Sequence, residues 1–208
     1  MIEETVALVC SYRDPAFALF QAHLRDVDPT CLDRLPAPRN LTVAECLSGL
    51  VVDDPELSRV LETLKTHRAD LAWGQTYNAA DFGETFLDSY GWVYLVGPSA
   101  PVQSDDALCA LMVLGPHTHY PLHRHHAEEI YICVAGDLEI RQDDRPWQEC
   151  PPGGFSHQTP LQPHALRTGD QPAVIVALWV GDDLAEKSEI LERLVEAEQN
   201  HNPTEEMT

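Results

Sequence analysis

Metal-binding side chains are concentrated in the stretch HRHHAEEIYICVAG, residues 123–136. His123 and His125 lie two positions apart, and Glu129 and Tyr131 repeat that spacing a few residues later. Because successive side chains of a β-strand point to opposite faces, residues two positions apart share a face. Two neutral imidazoles and a carboxylate are an ordinary ligand set for a divalent transition metal ion. The stretch therefore predicts a metal site on one face of two adjoining strands, with Tyr131 beside it.

The residues between these polar groups fit the same interpretation. Ile130, Ile132 and Val134 form an apolar opposite face, while His126 and Ala127 occupy the bend between the two strands. If the odd-numbered face lines the interior of a barrel, the polar groups meet there. Buried polar groups that stay unpaired cost free energy. The pattern therefore favours a metal site over a solvated polar patch.

A fourth ligand is expected from a distant strand, and the candidates are His157 and His164. His164 lies in TPLQPHALRTGDQP, residues 159–172, where a proline-rich turn leads into a strand and would aim the side chain inward. His157 follows two glycines in what the composition indicates to be an exposed turn. Because loops run over the surface, we expect His157 to lie outside the site.

The elements that must position these residues begin near Gly91, where short apolar runs alternate with turn residues. The gap between two of the runs, at Gly136 and Asp137, predicts a hairpin turn. Several short strands with Pro and Gly turns are typical of a β-sandwich or barrel. The predicted strands are WVYLVG (92–97), ALCALMVLG (107–115), EIYICVAG (129–136), LEIRQ (138–142) and AVIVALWVG (173–181).

Helical patterns dominate the first 90 residues. Apolar spacing predicts helices at 15–26, 42–50 and 55–71, and acidic residues precede the first and last of these as N-caps. The stretch WGQTYNAADFGETF, residues 73–86, indicates a loop, and a charged helix is expected over 184–198. We expect one compact unit in which an N-terminal helical segment, 1–90, packs on a barrel with a C-terminal helix, 91–208.

Composition and charge exclude some classes of protein. The formal net charge is −21 over 208 residues, and clustered Lys and Arg are not visible, which argues against nucleic-acid binding. An acidic surface favours solubility and fits a saline, marine habitat. The N-terminal sequence lacks the features of a signal peptide and no stretch is apolar enough to cross a bilayer, so we expect a cytoplasmic protein without membrane contact.

The cysteines are scattered and form no C-x-x-C pair, which indicates buried thiols in a reducing compartment rather than disulfides or zinc ligands. They are Cys10, Cys31, Cys46, Cys109, Cys133 and Cys150.

Two motifs resemble those of the cupin family. H-x-H-x3-E-x6-G, present as His123, His125, Glu129 and Gly136, resembles the first cupin motif, and the segment that ends at His164 resembles the second. In the second motif the usual glycine before the histidine is missing, and the sequence is PLQPHAL. The resemblance implies a mainly β protein with a cupin barrel, also called a double-stranded β-helix or jelly roll.

A closer resemblance is to the cupin-type dimethylsulfoniopropionate (DMSP) lyases, the Q type of the Ddd family. YPLHRHHAEEIYICVAG, residues 120–136, is similar to their signature, and PHALRT and ALWVG extend the likeness. The tyrosine two residues after the glutamate makes this likeness specific, because an ordinary cupin does not require it. The resemblance covers most of the chain.

This resemblance implies a metal-dependent carbon–sulfur lyase, a dimethylpropiothetin dethiomethylase, that removes the Cα proton of DMSP and eliminates dimethyl sulfide to leave acrylate. His125, Glu129 and His164, with His123 as the fourth ligand, would hold one divalent transition metal ion: zinc, iron or manganese. Tyr131 would be the general base.

A sulfonium substrate also calls for an aromatic wall, because a cation is attracted to the face of an aromatic ring. We expect Tyr120 and Trp179 to provide this wall, with Trp73 and Tyr77 as further candidates. Tyr120 has the opposite strand parity to His123, so it reaches the cavity only through a bulge near Pro121.

Two other functions use the same ligand set. One is a cupin oxygenase that acts on another small carboxylate, and the other is a cupin that binds a small molecule without turnover. Dimethyl sulfide release without oxygen would support only the lyase. From related cupins we also expect a homodimer.

Overall fold

The structure is a computed structural model that describes residues 1–25, 27–28 and 35–192. Within that part of the chain, helical elements come first and strands follow. The helices are α1 (Ile2–Ser11), a 3₁₀ turn (Pro15–Phe17) that continues as α2 (Ala18–Leu24), a 3₁₀ helix (Thr42–Gly49), α3 (Pro55–His67) and α4 (Ala79–Asp88). The strands are β1 (Tyr90–Val96), β2 (Ala107–Leu114), β3 (His119–Arg124), β4 (Glu128–Gln142), β5 (Gln148–Glu149), β6 (Phe155–Gln158), β7 (His164–Val180) and β8 (Glu189–Ile190).

Two of the predicted helix starts are confirmed by their caps. The Asp14 carboxylate accepts a hydrogen bond from the backbone N–H of Ala16 at 2.9 Å, and Asp54 accepts from Glu56 at 2.9 Å and Leu57 at 3.0 Å. A proline follows each aspartate in the first turn. The helix that was predicted over 15–26 ends at residue 24 in the structure, and residue 26 lies outside the described residues.

The prediction of a loop over 73–86 is wrong from residue 79 onward. Asn78 and Asp81 form a capping box, in which each side chain accepts a hydrogen bond from the other residue's backbone, and this starts α4. Gly83, at φ +79°, kinks the helix and conceals its periodicity. Helix α1 also has no counterpart among the predicted elements.

Strands β4 and β7 run through two antiparallel arrays and join them. One array has the order β1-β2-β7-β4-β6 and uses residues 173–180 of β7, while the other has the order β8-β3-β7-β4-β5 and uses residues 164–168. This is the mainly β jelly-roll arrangement that was expected. Among the described residues, the hydrogen-bonded order ends at edge strands and does not close into a ring.

The predicted hairpin at Gly136 and Asp137 is wrong, because β4 continues through both residues and pairs with β7 on either side of them. The register shifts between Gly136 and Leu138, which marks a bulge. Gly136 has φ +90°, and a Cβ there would lie 1.7 Å from the carbonyl oxygen of Pro172. A bulge with glycine at positive φ and a tight two-residue hairpin turn use the same backbone conformation, so glycine alone does not distinguish them.

The prediction of a C-terminal helix is wrong over 184–192. Glu189–Ile190 instead forms β8 against β3, and the backbone N–H of Leu191 donates to the carbonyl of Leu122 at 2.8 Å. Pairing with the edge of the sheet satisfies backbone groups that a helix would have bonded internally. The rest of the predicted helix, 193–198, lies outside the described residues.

Alternate residues of the central strands pack into two different cores. Ile130, Ile132 and Val134 of β4 face the helices in an outer core, together with the apolar faces of α1, α2 and α3. Tyr131 and Cys133 of the same strand face the interior between the two arrays. The predicted division of β4 by parity is therefore what the structure shows.

The described cysteines carry free thiols, and Cys31 lies outside the described residues. Among the described residues, every helix is too short or too polar to cross a membrane.

Candidate metal centre and active-site cavity

The four predicted ligands come together from three strands and the bend between two of them. His123 of β3 lies directly opposite His164, the first residue of β7, and Glu129 is the second residue of β4. His125 follows the end of β3 in the bend before β4. All four side chains are buried, and one potential ligand atom from each lies within 4.8 Å of the others.

Nδ1 of each histidine in this cluster lies close to the backbone carbonyl oxygen of a residue two positions away. Nδ1 lies 2.8 Å from the carbonyl oxygen of Pro121 for His123, 3.0 Å from that of Ala127 for His125, and 2.8 Å from that of Gln162 for His164. A carbonyl oxygen only accepts, so Nδ1 carries the proton in each ring. Nε2 is left with a free lone pair, which is the form that binds a metal ion.

Glu129 lies at the centre of the cluster. Its Oε2 is 3.0 Å from Nε2 of His125 and 2.9 Å from Nε2 of His164. The contact between Nε2 of His164 and Oε2 of Glu129 does not have the angles of a hydrogen bond. The buried Nε2 of His164 therefore has no hydrogen-bond partner in the structure. A buried nitrogen lone pair beside a carboxylate is an arrangement that a cation satisfies. The residues present therefore fit a divalent metal ion.

Burial and the neighbouring charges shift the pKa values of three residues of the cluster. Burial, with His164 adding to it, lowers the pKa of His123 well below its ordinary value, so the ring is neutral. Burial opposes the Glu129 carboxylate, but His125 and His164 outweigh it and hold the pKa of Glu129 well below its usual range. Burial likewise opposes the charged form of His125, yet Glu129 raises the pKa of His125, so a proton competes with a metal ion for Nε2 of this ring.

Tyr131 lies two residues beyond Glu129 on the same inward face. Its ring centroid is 5.8 Å from that of His164, and its hydroxyl interacts with Glu129. Burial and the Glu129 charge raise the pKa of Tyr131 well above the ordinary value of a phenol. A positive charge at the cluster opposes both effects.

Tyr131 and Glu129 line a cavity of about 100 Å³ whose walls are largely aromatic. Tyr120 reaches it because the β3–β7 register shifts between Tyr120 and His123, which is the bulge that the sequence required. The Tyr120 hydroxyl donates to the Tyr77 hydroxyl at 3.2 Å, and its ring centroid lies 4.7 Å from that of His123. The other aromatic lining residues are Tyr90, Trp92, Tyr94 and Trp179.

Trp179 contacts both the cavity and the cluster. Its indole N–H donates to Oε1 of Glu129, and its ring stacks on that of His125 with centroids 4.0 Å apart. Trp179 therefore orients two of the four cluster residues, in addition to the aromatic surface that was predicted for it.

Two sequence-based assignments change in the structure. Trp73 is buried in the outer core with its N–H on the carbonyl of Arg68, so it is not part of the cavity wall. His157 is in strand β6 rather than in an exposed turn, and its Nε2 lies 2.7 Å from Glu128 on the outer face. It lies outside the cluster, as expected, because it pairs with Ile130 and so shares the outward parity.

Four further residues of the cavity lining were not predicted from the sequence: Tyr90, Trp92, Tyr94 and Glu186. The three aromatic residues occupy every second position of β1 and face the cavity, whereas Val93 and Leu95 face the outer core. Strand parity could therefore have identified them. Glu186 comes from the segment after β7, where a helix was predicted.

A larger groove of about 790 Å³ lies beside the start of α1 and the middle of β1. Neither the four cluster residues nor Tyr131 line it, whereas Glu129 and Tyr131 line the smaller cavity.

Comparison with known proteins gives consistent results. A family model described as dimethylsulfoniopropionate lyase matches residues 15–175. The dimethylsulfoniopropionate lyase DddQ of Ruegeria pomeroyi is 30% identical over an alignment of 185 residues that covers 81% of this chain and 91% of that protein. The crystal structure of DMSP lyase DddQ from Ruegeria pomeroyi DSS-3 superposes with a TM-score of 0.80 at 26% identity, covering 94% of this chain and 96% of that one. A crystal structure reported for the DMSP lyases RdDddP and RnDddQII matches in fold, with a TM-score of 0.80 at 23% identity over 92% of this chain and 95% of that one.

Proposed function

The chain belongs to the dimethylsulfoniopropionate lyase family, and from this membership we propose that it cleaves DMSP to dimethyl sulfide and acrylate in the cavity beside Tyr131. The observation that carries the proposal is the convergence of four buried ligand atoms within 4.8 Å of one another at the wall of an aromatic cavity.

We propose His123, His125, Glu129 and His164 as the ligands of one divalent metal ion. Zinc, iron and manganese all accept a ligand set of imidazoles and one carboxylate. When bound, such an ion supplies a Lewis acid that stabilises the negative charge that develops on the substrate carboxylate. The backbone carbonyls that hold the three Nδ1 protons keep the rings in the orientation this requires.

Tyr131 is the proposed general base. As the phenolate it accepts the Cα proton of the substrate, and the electron pair of that C–H bond forms the new C=C bond. The C–S bond breaks with its electron pair on sulfur, so neutral dimethyl sulfide leaves and acrylate remains. The proposal rests on the position of Tyr131, which lines the cavity next to Glu129.

Tyr120 and Trp179 are the proposed substrate-binding residues. Both are aromatic residues of the cavity wall, where they can contact the sulfonium methyl groups and exclude water from the reacting carbon. Trp179 has a second role, because it also holds Glu129 and His125 in place.

An anaerobic assay tests the proposed function. The purified protein is stripped of metal, reloaded separately with zinc, iron or manganese, and incubated with DMSP without oxygen. We expect dimethyl sulfide and acrylate in equal amounts with at least one metal and neither product from the stripped protein. Turnover that needs oxygen, or no turnover with any metal, would contradict the proposal.

A cytoplasmic location, a marine source and a homodimer stay predictions from the sequence. Sedimentation of the purified protein over a range of concentrations would test the dimer.

A further inference from the structure

The cavity contains an unusual set of charges. Among its described lining residues, the charged side chains are two carboxylates, Glu129 and Glu186. Glu129 belongs to the buried cluster with three histidines, whereas Glu186 comes from the segment that follows β7. The proposed reaction gives a role to Glu129 but leaves Glu186 without one.

The Glu186 carboxylate is fixed rather than free. The backbone N–H of His126 donates to it at 3.1 Å, and Nδ1 of His126 lies 2.9 Å from its other oxygen. The side chain is 25% exposed, and the hydrogen bonds from His126 lower the pKa of Glu186. A negative charge is therefore held in one position at the rim of the cavity.

Glu186 lies at an aromatic end of the cavity and close to the cluster. Leu184, two residues before it, packs with Tyr94 and Trp179. Glu186 is also close to the cluster because it is hydrogen-bonded to His126, the residue that follows His125. The neighbouring cation, Lys187, is not among the lining residues and is bound to the Asp81 carboxylate at 2.9 Å.

The substrate has two charged ends, a carboxylate and a sulfonium, separated by two methylene groups. A cation is attracted both by a fixed carboxylate and by aromatic ring faces, whereas the substrate carboxylate is repelled by Glu186. We propose that Glu186, together with Trp179 and Tyr94, binds the sulfonium end of the substrate and so determines which end of it reaches the four-residue cluster. This inference rests on the proposed function.

Glu186→Gln tests the inference with little change in shape, because glutamine keeps an oxygen for the N–H of His126. We expect KM for DMSP to rise about tenfold, with kcat within about twofold of wild type, because the lost attraction acts on binding more than on the chemical step. Glu189→Gln is the matched control. Glu189 lies on the same segment, pairs with Arg124 and does not line the cavity. An unchanged KM in Glu186→Gln, or an equal rise in both variants, would overturn the inference.

A binding experiment without turnover separates this inference from the proposed function. In competition assays or calorimetry, 3-(trimethylammonio)propionate is compared with its carbon isostere 4,4-dimethylpentanoate, which keeps the carboxylate but lacks the positive charge. We expect wild type to bind the cation about tenfold more tightly and Glu186→Gln to lose most of that preference, while Glu189→Gln keeps it. Equal affinities in wild type, or a preference that survives in Glu186→Gln, would refute the role of Glu186. Absence of dimethyl sulfide in the wild-type assay would instead refute the lyase function.

Discussion

The two faces of the central strands have different compositions and different tasks. The outer face of β4 presents Ile130, Ile132 and Val134 to the helices, in a core of Leu, Val and Phe side chains. The inner face of the same strand presents Glu129 and Tyr131 to the cavity. Burial of apolar surface stabilises the outer core at about 25 cal/mol per Å². The inner face holds polar groups whose burial costs free energy unless they are paired.

Along β4, residues that pack in the outer core therefore alternate with residues that line the cavity. A residue shifted by one position moves from one core to the other, because side-chain direction alternates. Substitutions on the inner face should therefore change activity more than stability, and those on the outer face the reverse. A tenfold change in a rate or equilibrium constant corresponds to about 1.4 kcal/mol, so effects on activity and on stability can be compared in the same units.

Glu129→Gln should have the largest effect. The change removes a proposed ligand and the negative charge at the centre of the cluster, so we expect loss of bound metal and a fall in kcat/KM on the order of 10⁴-fold. Metal content by mass spectrometry and initial rates of acrylate formation measure the two effects. His125→Ala should give the same paired loss.

The control for Glu129→Gln is the same substitution one residue earlier. Glu128 points to the outer face and pairs with His157, so Glu128→Gln should keep metal content and rate within about twofold, as is usual for surface changes. If Glu128→Gln lost metal as well, the separation of the two faces would be wrong.

Tyr131→Phe should have the next largest effect. Removing a general base lowers the rate by about 10³-fold, while the four proposed ligands are unchanged and metal content should stay at the wild-type value. Tyr12→Phe is the matched control, since the Tyr12 hydroxyl donates to the carbonyl of Gly153 at 2.9 Å in the outer region. That variant should lose about 1 kcal/mol of stability and no activity. A near-normal rate in Tyr131→Phe would exclude it as the base.

The inner site was largely predictable from the sequence, because its residues follow simple rules. Strand parity assigned His123, His125, Glu129 and Tyr131 to one face, and a proline turn before a strand identified His164. Parity also showed that Tyr120 needed a bulge, and the register shift supplies it. Local periodicity was enough for His123, Glu129 and Tyr131 because each side chain's direction is set by its own strand, while His125 lies one residue beyond the end of β3.

Leu61→Ala tests the outer core. Leu61 of α3 is fully buried there, and truncation should lower the free energy of unfolding by about 3 kcal/mol through lost burial and the cavity that remains. Urea denaturation of the metal-free protein measures this loss, and kcat of the folded fraction should stay unchanged. Leu19→Ala, at a position that is 43% exposed, should change stability by less than about 0.5 kcal/mol. A large fall in kcat with little loss of stability would contradict the division of tasks.

The parts that the sequence did not predict depend on contacts between distant segments. Gly136 has the positive φ of a turn, yet β7 pairs with β4 on both sides of it and makes it a bulge. Residues 189–190 pair with β3 instead of forming a helix. Glu186 lines the cavity because the segment between β7 and β8 passes beside it. Helical or turn propensity is a local property and cannot report such pairing.

Trp179→Phe should have the smallest effect of these substitutions. Phenylalanine keeps an aromatic ring to stack on His125 but cannot donate to Glu129, so metal affinity should fall about tenfold, as for other residues that orient ligands. Trp73→Phe removes an N–H of the same kind in the outer core, where it donates to the carbonyl of Arg68 at 2.8 Å. Titration with a metal-competing chelator should show weaker binding in Trp179→Phe alone, whereas Trp73→Phe should lower only the denaturation midpoint. Equal metal affinity in the two variants would mean that the indole of Trp179 contributes packing and does not position Glu129.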